Sequence, residues 1–553
     1  MIQFDFDAVV IGAGFAGLYA LRKLRDEAGL HVHLFEKGSG VGGTWFWNRY
    51  PGAMSDTEAP FYRYSFDADL LASDTWTRRY IPQPEILAYL QRVAGHFDLM
   101  RDIQLHTEVQ ALHWDEGAGG WHVITDHGRY TARYVVTALG LLSAVNWPNI
   151  PGLADFKGIL AHTAQWPEGL ALDGLRVGVI GTGSTGCQVV CATSRVARHL
   201  IVFQRSPQYS VPAGNGPVTP DEVASYRQRW PEVWAQVRSS AVGFGFDEST
   251  VSAHSVSDAE REAAFEAAWA QGNGFRFVFG AFCDVSTDRG VNELAAAFIR
   301  RKIASIVRDP ETARRLTPTG LFAKRPLCTD GYFDAFNQPN VSLVDLRETP
   351  IAHVSERGIV TEDGMEHELD VLVLATGFDA VDGNYRRMDI RGRSGTLDAH
   401  WDTPSSFLGI GTAGFPNMLM VSGPQGPFAN LVPAIEVQVE FIADLIADAE
   451  QRRRGGGDAV IDVKPAAEER WTQQCHDLAR GTLYAETDSW IFGANIPGKK
   501  HNILFYLGGL GKYGEHLWEE EEGGFQGFRH TAPKSLDGVI TRVEEVEMQP
   551  VQA

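Results

Sequence analysis

The sequence predicts an α/β protein made of two dinucleotide-binding, Rossmann-like units with a helical insertion. Three observations predict this. A short apolar run near the N-terminus passes into a Gly-x-Gly-x-x-Gly turn and then a helical stretch. The same unit restarts at Arg176. Between Pro212 and Leu321 the texture changes to amphipathic segments rich in Ala, Arg and Glu. The 553 residues suggest roughly two to four domains. Hydrophobic residues form 44% of the chain and charged residues 22%, enough apolar material for large cores.

The first unit is an apolar strand at 8–11, the turn Gly12-Ala-Gly14-Phe-Ala-Gly17, a helix at 18–28 and a second strand at 32–35 that ends at Glu36. The second is a strand at 177–180, the turn Gly181-Thr-Gly183-Ser-Thr-Gly186, a helix at 188–197 and a strand at 200–203 leading to Arg205. In the insertion, 259–271 and 291–307 read as amphipathic helices. A late apolar strand at 371–374 leads into Ala375-Thr376-Gly377. The basic run 452–454 with Gly455 to Gly457 reads as a surface loop, and the acidic run 519–522 as a solvated face. These elements suggest a first unit from 1–145 and 377–540, a second from 150–212 and 325–376, an insertion at 213–324 and a tail at 541–553.

The charge sum of −21 gives a field of the wrong sign for nucleic acid or an anionic membrane. No run of about 18 apolar residues suggests a membrane span, and the N-terminus lacks a signal-peptide pattern. Five cysteines in a chain this long suggest a reduced, cytoplasmic setting. A monomer or weak oligomer is expected. No metal site is expected: Cys187 and Cys191, one helical turn apart, read as packing residues with no other ligand near them in sequence.

Each glycine turn follows a strand and opens a helix, the context in which backbone N–H groups and a helix N-terminus hold a pyrophosphate. The residue ending each second strand separates the cofactors. The carboxylate of Glu36 accepts hydrogen bonds from a ribose diol, so the first turn suits an unphosphorylated dinucleotide. Arg205, at the matching place, suits a 2′-phosphate, so the second turn suits NADP. Two dinucleotides imply hydride transfer from NADPH to FAD. No Cys pair follows the first helix, so the reduced flavin has no dithiol to discharge into, which leaves oxygen as the obvious acceptor.

Between the two units lies Phe156-Lys-Gly158-Ile-Leu-Ala-His162-Thr-Ala-Gln-Trp166-Pro167. It resembles the FxGxxxHxxxWP motif of the type I Baeyer–Villiger monooxygenases. Stretches beginning at Gly43, Ala138, Phe203, Ala323, Ala375 and Ser489 resemble the cyclohexanone monooxygenase branch. Relatives that oxidise nitrogen or sulfur carry Tyr or Phe where Trp166 stands. The resemblance implies that NADPH reduces FAD and that oxygen then forms a peroxyflavin anion. The anion attacks a ketone carbonyl, and the tetrahedral adduct rearranges to an ester or lactone. Small-molecule ketone and oxygen are the implied partners.

The resemblance also implies site residues. Arg325 would keep the peroxide anionic and stabilise the developing oxyanion, and Asp56 would hold Arg325 in place. FAD would lie on Gly12, Gly14, Gly17 and Glu36 and on Thr44, Trp45 and Asp56. NADP would lie on Gly181, Gly183, Ser184, Thr185 and Gly186, with Arg205, Ser206 and Lys324 at its 2′-phosphate and Trp490 near its nicotinamide end. Leu142, Phe244, Phe277, Phe428, Leu431 and Phe505 fall in pocket-lining stretches. Phe156, Gly158, His162 and Trp166 are read as structural, with His162 coupling the two units rather than acting as a base. Gln425, Ala429 and Val432 depart from the branch's usual residues, and Ser206 replaces a common Thr. The departures at 425, 429 and 432 bear on substrate range.

Overall fold

The strand Phe6–Ile11, whose Ala8, Val9 and Val10 are fully buried, pairs in parallel with both Val32–Phe35 and Gly128–Thr137. A central parallel strand is covered on both faces, so its sequence is continuously apolar rather than alternating. In the computed structural model, which describes residues 3–532, this strand centres a nine-stranded sheet. The expected tail at 541–553 lies outside the described residues, as do residues 533–540. The sheet runs from Ile103–Gln104 through the central strands and the antiparallel Gly120–Thr125 and Val109–Asp115 to Asp389–Gly392 and Gly395–Thr396. Met418–Met420 also pairs with Gly128–Thr137.

The second sheet has five strands, all parallel, in the order Val341–Asp345, His199–Gln204, Arg176–Ile180, Val371–Leu374, Ile159–His162. Both glycine turns have the same build. Gly12 and Gly181 adopt φ of +102° and +112°, a region that costs other residues dearly. The helices that follow, Phe15–Arg22 and Ser184–Thr193, lie so close to the turns that a side chain at Gly17 or Gly186 would strike the carbonyl oxygens of Gly12 or Gly181. The first helix continues as a π-helical turn, Lys23–Glu27. The second starts earlier than expected, because Ser184 and Thr185 themselves wind into its first turn.

Five helices fill the insertion: Pro220–Gln228, Trp230–Ser239, Asp258–Gln271, Arg289–Ile306 and Pro310–Leu316. Thr219 with Glu222, and Ser257 with Glu260, close capping boxes at two of their starts. Phe265, Phe298 and Ile299 join the core of the second sheet, whereas Trp230, Val233 and Trp234 join that of the first.

The basic run differs from expectation, and the acidic run differs in part. Residues 452–454 are not loop but the last turn of the long helix Leu431–Arg454, where cations meet the negative end of the helix dipole; Arg452 and Arg453 pair with Asp448 and Glu450. Residues 519–522 end the helix Leu510–Glu522. Glu521 is half-buried there, and burial with the neighbouring Asp444 and Glu440 pushes its carboxyl up to about 7. No described helix is long and apolar enough to cross a membrane.

Two chain segments pass between the sheets, and they run side by side. Val145 and Phe378 form an antiparallel bridge. The Asn146 and Asp379 amides donate to Gly377 O (3.1 Å) and Ala144 O (2.8 Å), and Thr376 Oγ1 donates to Asn146 O at 2.8 Å. His162 ends its strand beside this crossing. Its Nδ1 accepts from the Ala164 amide, and Nε2 lies 3.4 Å from Thr376 Oγ1. Burial pushes the imidazole pKa down to about 4, so the ring is neutral near pH 7.

Candidate active site

At the first glycine turn the side chain of Glu36 is buried. Its carboxylate accepts from the Ala13 amide at 2.8 Å and the Gly38 amide at 2.7 Å. Gly14 faces Gly43 across a slot with backbone on both sides: a Cβ on Gly43 would stand 2.8 Å from the Gly14 Cα. Thr44 opens the short helix Thr44–Trp47 at this slot, and the buried Trp45 donates from Nε1 to Tyr62 OH at 3.1 Å. A narrow, side-chain-free slot, a helix N-terminus and a fixed carboxylate are what a diphosphate with a ribose diol requires, so these residues fit FAD.

At the second turn, space opens beyond Gly183, where a Cβ would meet nothing within 4 Å. Arg205 is exposed. Thr182 Oγ1 donates to Ser206 O at 2.8 Å, tying the turn to the end of the second strand. A cleft beside it is lined by Ser206, Tyr209, Phe322, Lys324, Arg325 and Arg347. Burial and the Arg205 charge push the Lys324 ammonium below its ordinary pKa, against the pull of Asp488. Cations left close together in an open cleft fit the 2′-phosphate of NADP.

An ion pair lies where the two halves meet. Gly52 packs directly on Gln188 O of the second unit's helix, and Tyr50 OH donates to Gln188 Oε1 at 2.8 Å. This docking carries Asp56 to Arg325, with Oδ2 and Nη1 2.5 Å apart. Burial works against the Arg325 charge, but Asp56 outweighs it and holds the guanidinium above its usual range. Glu58, two residues on, receives Arg79 and Arg276 on one oxygen at 2.9 and 2.8 Å. The Arg325 guanidinium lies 5.4 Å from the centre of the Phe275 ring.

Phe275 begins a continuous set of aromatic rings. It stacks on Phe244 at 4.2 Å and approaches Phe428 at 6.1 Å. Phe428 meets Phe505, Trp490 and Tyr484, and Trp490 meets Phe505. Leu431 and Leu142 are half-buried against the same core. Phe277 does not belong to this set. It is fully buried against Phe265, Phe298 and Phe322 in the other core. Residues 276–280 form a π-helical turn, which points Phe275 and Phe277 to different cores.

The departures divide. Gln425 has φ +64° and is fully buried, and its side-chain oxygen accepts from Thr472 Oγ1 (3.0 Å) and the Ser406 amide (3.3 Å). Val432 is core, and Ala429 is half-buried. Cys187 is packed and Cys191 half-buried, both with thiols pushed up by burial, and no metal-binding cluster occurs among the described residues. Of the fingerprint, Phe156 and Trp166 are buried, and a Gly158 Cβ would strike Phe156 and Asp370 O. One strained residue lies in the crossing: Val381, β-branched, has φ +66°, worth about 1–3 kcal/mol of backbone strain. Sequence reading missed Phe275, Tyr484, Glu58 and Val381.

The flavin-binding monooxygenase-like family model matches residues 7–213. A phenazine N-monooxygenase of Lysobacter antibioticus is 52% identical over 96% of this chain and 98% of its own length. A Baeyer–Villiger monooxygenase of Pseudooceanicola batsensis is 52% identical over 94% of this chain and 95% of its own. The crystal structure of cyclohexanone monooxygenase from Rhodococcus sp. Phi1 bound to NADP+ superposes with a TM-score of 0.94 at 56% identity, covering 95% of this chain and 99% of that one.

Proposed function

The chain belongs to the Baeyer–Villiger branch of the flavin-binding monooxygenases, an FAD- and NADPH-dependent enzyme similar to cyclohexanone monooxygenase, and from that premise we propose that it converts cyclic ketones to lactones. The overall balance is ketone, NADPH, a proton and oxygen giving lactone, NADP+ and water. FAD, when bound, supplies the two-electron chemistry that accepts hydride from NADPH and activates oxygen.

The observation that carries this reading is the Arg325–Asp56 pair beside the aromatic rings that would wall the ketone pocket. Arg325 stays charged, so it disfavours protonation of an oxygen anion beside it and stabilises negative charge that develops on a ketone oxygen. Asp56 fixes the guanidinium and is a positioning group. Phe244, Phe275, Phe428 and Phe505 exclude water and offer an apolar wall to a ring ketone. Gly12, Gly14, Gly17, Glu36, Thr44 and Trp45 would hold FAD. Gly181, Gly183, Ser184, Thr185 and Gly186 would hold NADP, Arg205, Ser206 and Lys324 would take its 2′-phosphate, and Trp490 would serve its nicotinamide end. His162, neutral and bonded within the crossing, needs no part in the chemistry.

A second reading, oxygenation at nitrogen of a flat heteroaromatic, is favoured by the phenazine relative. One assay separates the two: purified protein, NADPH and labelled oxygen, with cyclohexanone or with phenazine. Caprolactone carrying one labelled atom supports the ketone reading, and an N-oxide without lactone overturns it. Arg325→Ala should reduce FAD normally yet form lactone about a hundred- to a thousandfold more slowly; lactone at the parent rate would remove Arg325 from the chemistry.

A further inference from the structure

We propose that Lys499 is a positioning residue that latches the segment 487–499 onto the crossing between the two units and so keeps the aromatic pocket closed. The Lys499 ammonium donates to Asp379 Oδ1 at 2.5 Å and to Asp382. Asp382 is fully buried and also receives Arg386 Nε at 2.7 Å. Between these carboxylates stands the strained Val381, whose amide donates to Leu141 O at 2.8 Å. One lysine therefore closes both ends of the turn that grips the chain beside Leu142.

The lysine is itself seated. Its stem lies on Gly493, where a Cβ would stand 3.2 Å from the Lys499 Cδ. Asn495 adds a second tie, donating from Nδ2 to Phe378 O at 2.8 Å. The other end of the segment is anchored at the catalytic side: Thr487 Oγ1 donates to Ala323 O at 2.8 Å, two residues before Arg325. Trp490, between the anchors, packs on Phe428 and Phe505. The segment thus spans from the Arg325 turn to the crossing, and its far end rests on one buried charge cluster. Without the lysine, Asp379 loses its partner and Asp382 keeps only Arg386, which destabilises the closed arrangement.

The consequence for turnover rests on the ketone reading above: an unlatched segment admits water, and NADPH, a proton and oxygen then give NADP+ and hydrogen peroxide instead of lactone. The test uses the FAD-loaded holoenzyme and its Lys499→Met and Lys499→Arg variants. Hydrogen–deuterium exchange over 487–500, with NADP+ present, should rise about tenfold or more in Lys499→Met and return toward the parent in Lys499→Arg. Lactone formed per NADPH consumed should fall at least about twofold in Lys499→Met, with peroxide making up the difference. Unchanged exchange overturns the latch. Raised exchange with unchanged coupling overturns its role in turnover. If Lys499→Met does not fold, Asp379→Asn tests the same contact while leaving Asp382 with Arg386. A parent enzyme that makes no lactone at all contradicts the ketone reading, while the exchange result still decides the latch.

Discussion

The two glycine turns share one backbone and treat charge in opposite ways. Glu36 is buried and both its oxygens are already engaged by backbone amides. Arg205 is exposed and makes no hydrogen bond or ion pair among the described residues. The first turn is therefore built around its charge whether or not a dinucleotide is present. The second leaves Arg205 unpaired and Lys324 pushed down beside it, an arrangement that an incoming anion would relieve. One turn suits a resident group, the other a group that arrives as a reagent.

The sharpest way to break this comparison is Glu36→Ala. It strands two buried amides, at about 1–3 kcal/mol each. The variant should lose bound flavin, measured by absorbance after gel filtration, and its melting temperature should fall by several degrees. Retention of flavin at parental stability would mean that Glu36 is not structural. The next probe sits between the turns. His162 has a folded pKa of about 4 against an ordinary 6.5, so the unfolded chain takes up its proton first. Its contribution is intact above pH 6.5 and is lost as the pH falls toward 4, by up to about 3 kcal/mol. His162→Gln should flatten that part of the acid-stability curve measured by denaturant titration; an identical curve would place the acid sensitivity elsewhere. The smallest effect is Arg205→Ala. Stability should not change, but the KM for NADPH should rise about tenfold or more, and the preference over NADH should shrink, as one charge-assisted contact is lost. A fall in stability instead would show Arg205 to be structural, like Glu36.

Much of this was legible in the sequence because the determinants are local. A strand, a glycine turn and a charge at the end of the next strand are read in order, and both units fold as such. Arg325 and Asp56 were legible only through resemblance, since nothing near either residue announces the other, and it takes the docking of Gly52 on Gln188 to bring them together. The pocket was legible as a set of stretches, not as facing side chains. Phe275 caps a π-helical turn and Phe277 lies on it, so neither the strand nor the α-helix period tells which ring faces Arg325. Gln425 was placed beside the pocket by sequence, and what the sequence does not tell is that its side-chain oxygen accepts from Thr472 and Ser406. The positive φ of Val381 leaves no mark in the sequence, and its amide is bonded to Leu141 O in a distant stretch of the chain.

The paired crossing at 144–146 and 376–379 has a mechanical consequence. Two bodies joined by one chain would swivel freely. Two chains cross-bonded into a short ribbon resist twisting, because torsion would shear the bonds among Val145, Asn146, Gly377 and Phe378. Both sides of the crossing must therefore turn together, and the contacts of Tyr50 and Gly52 with Gln188 add a second tie that any relative turn of the units would strain.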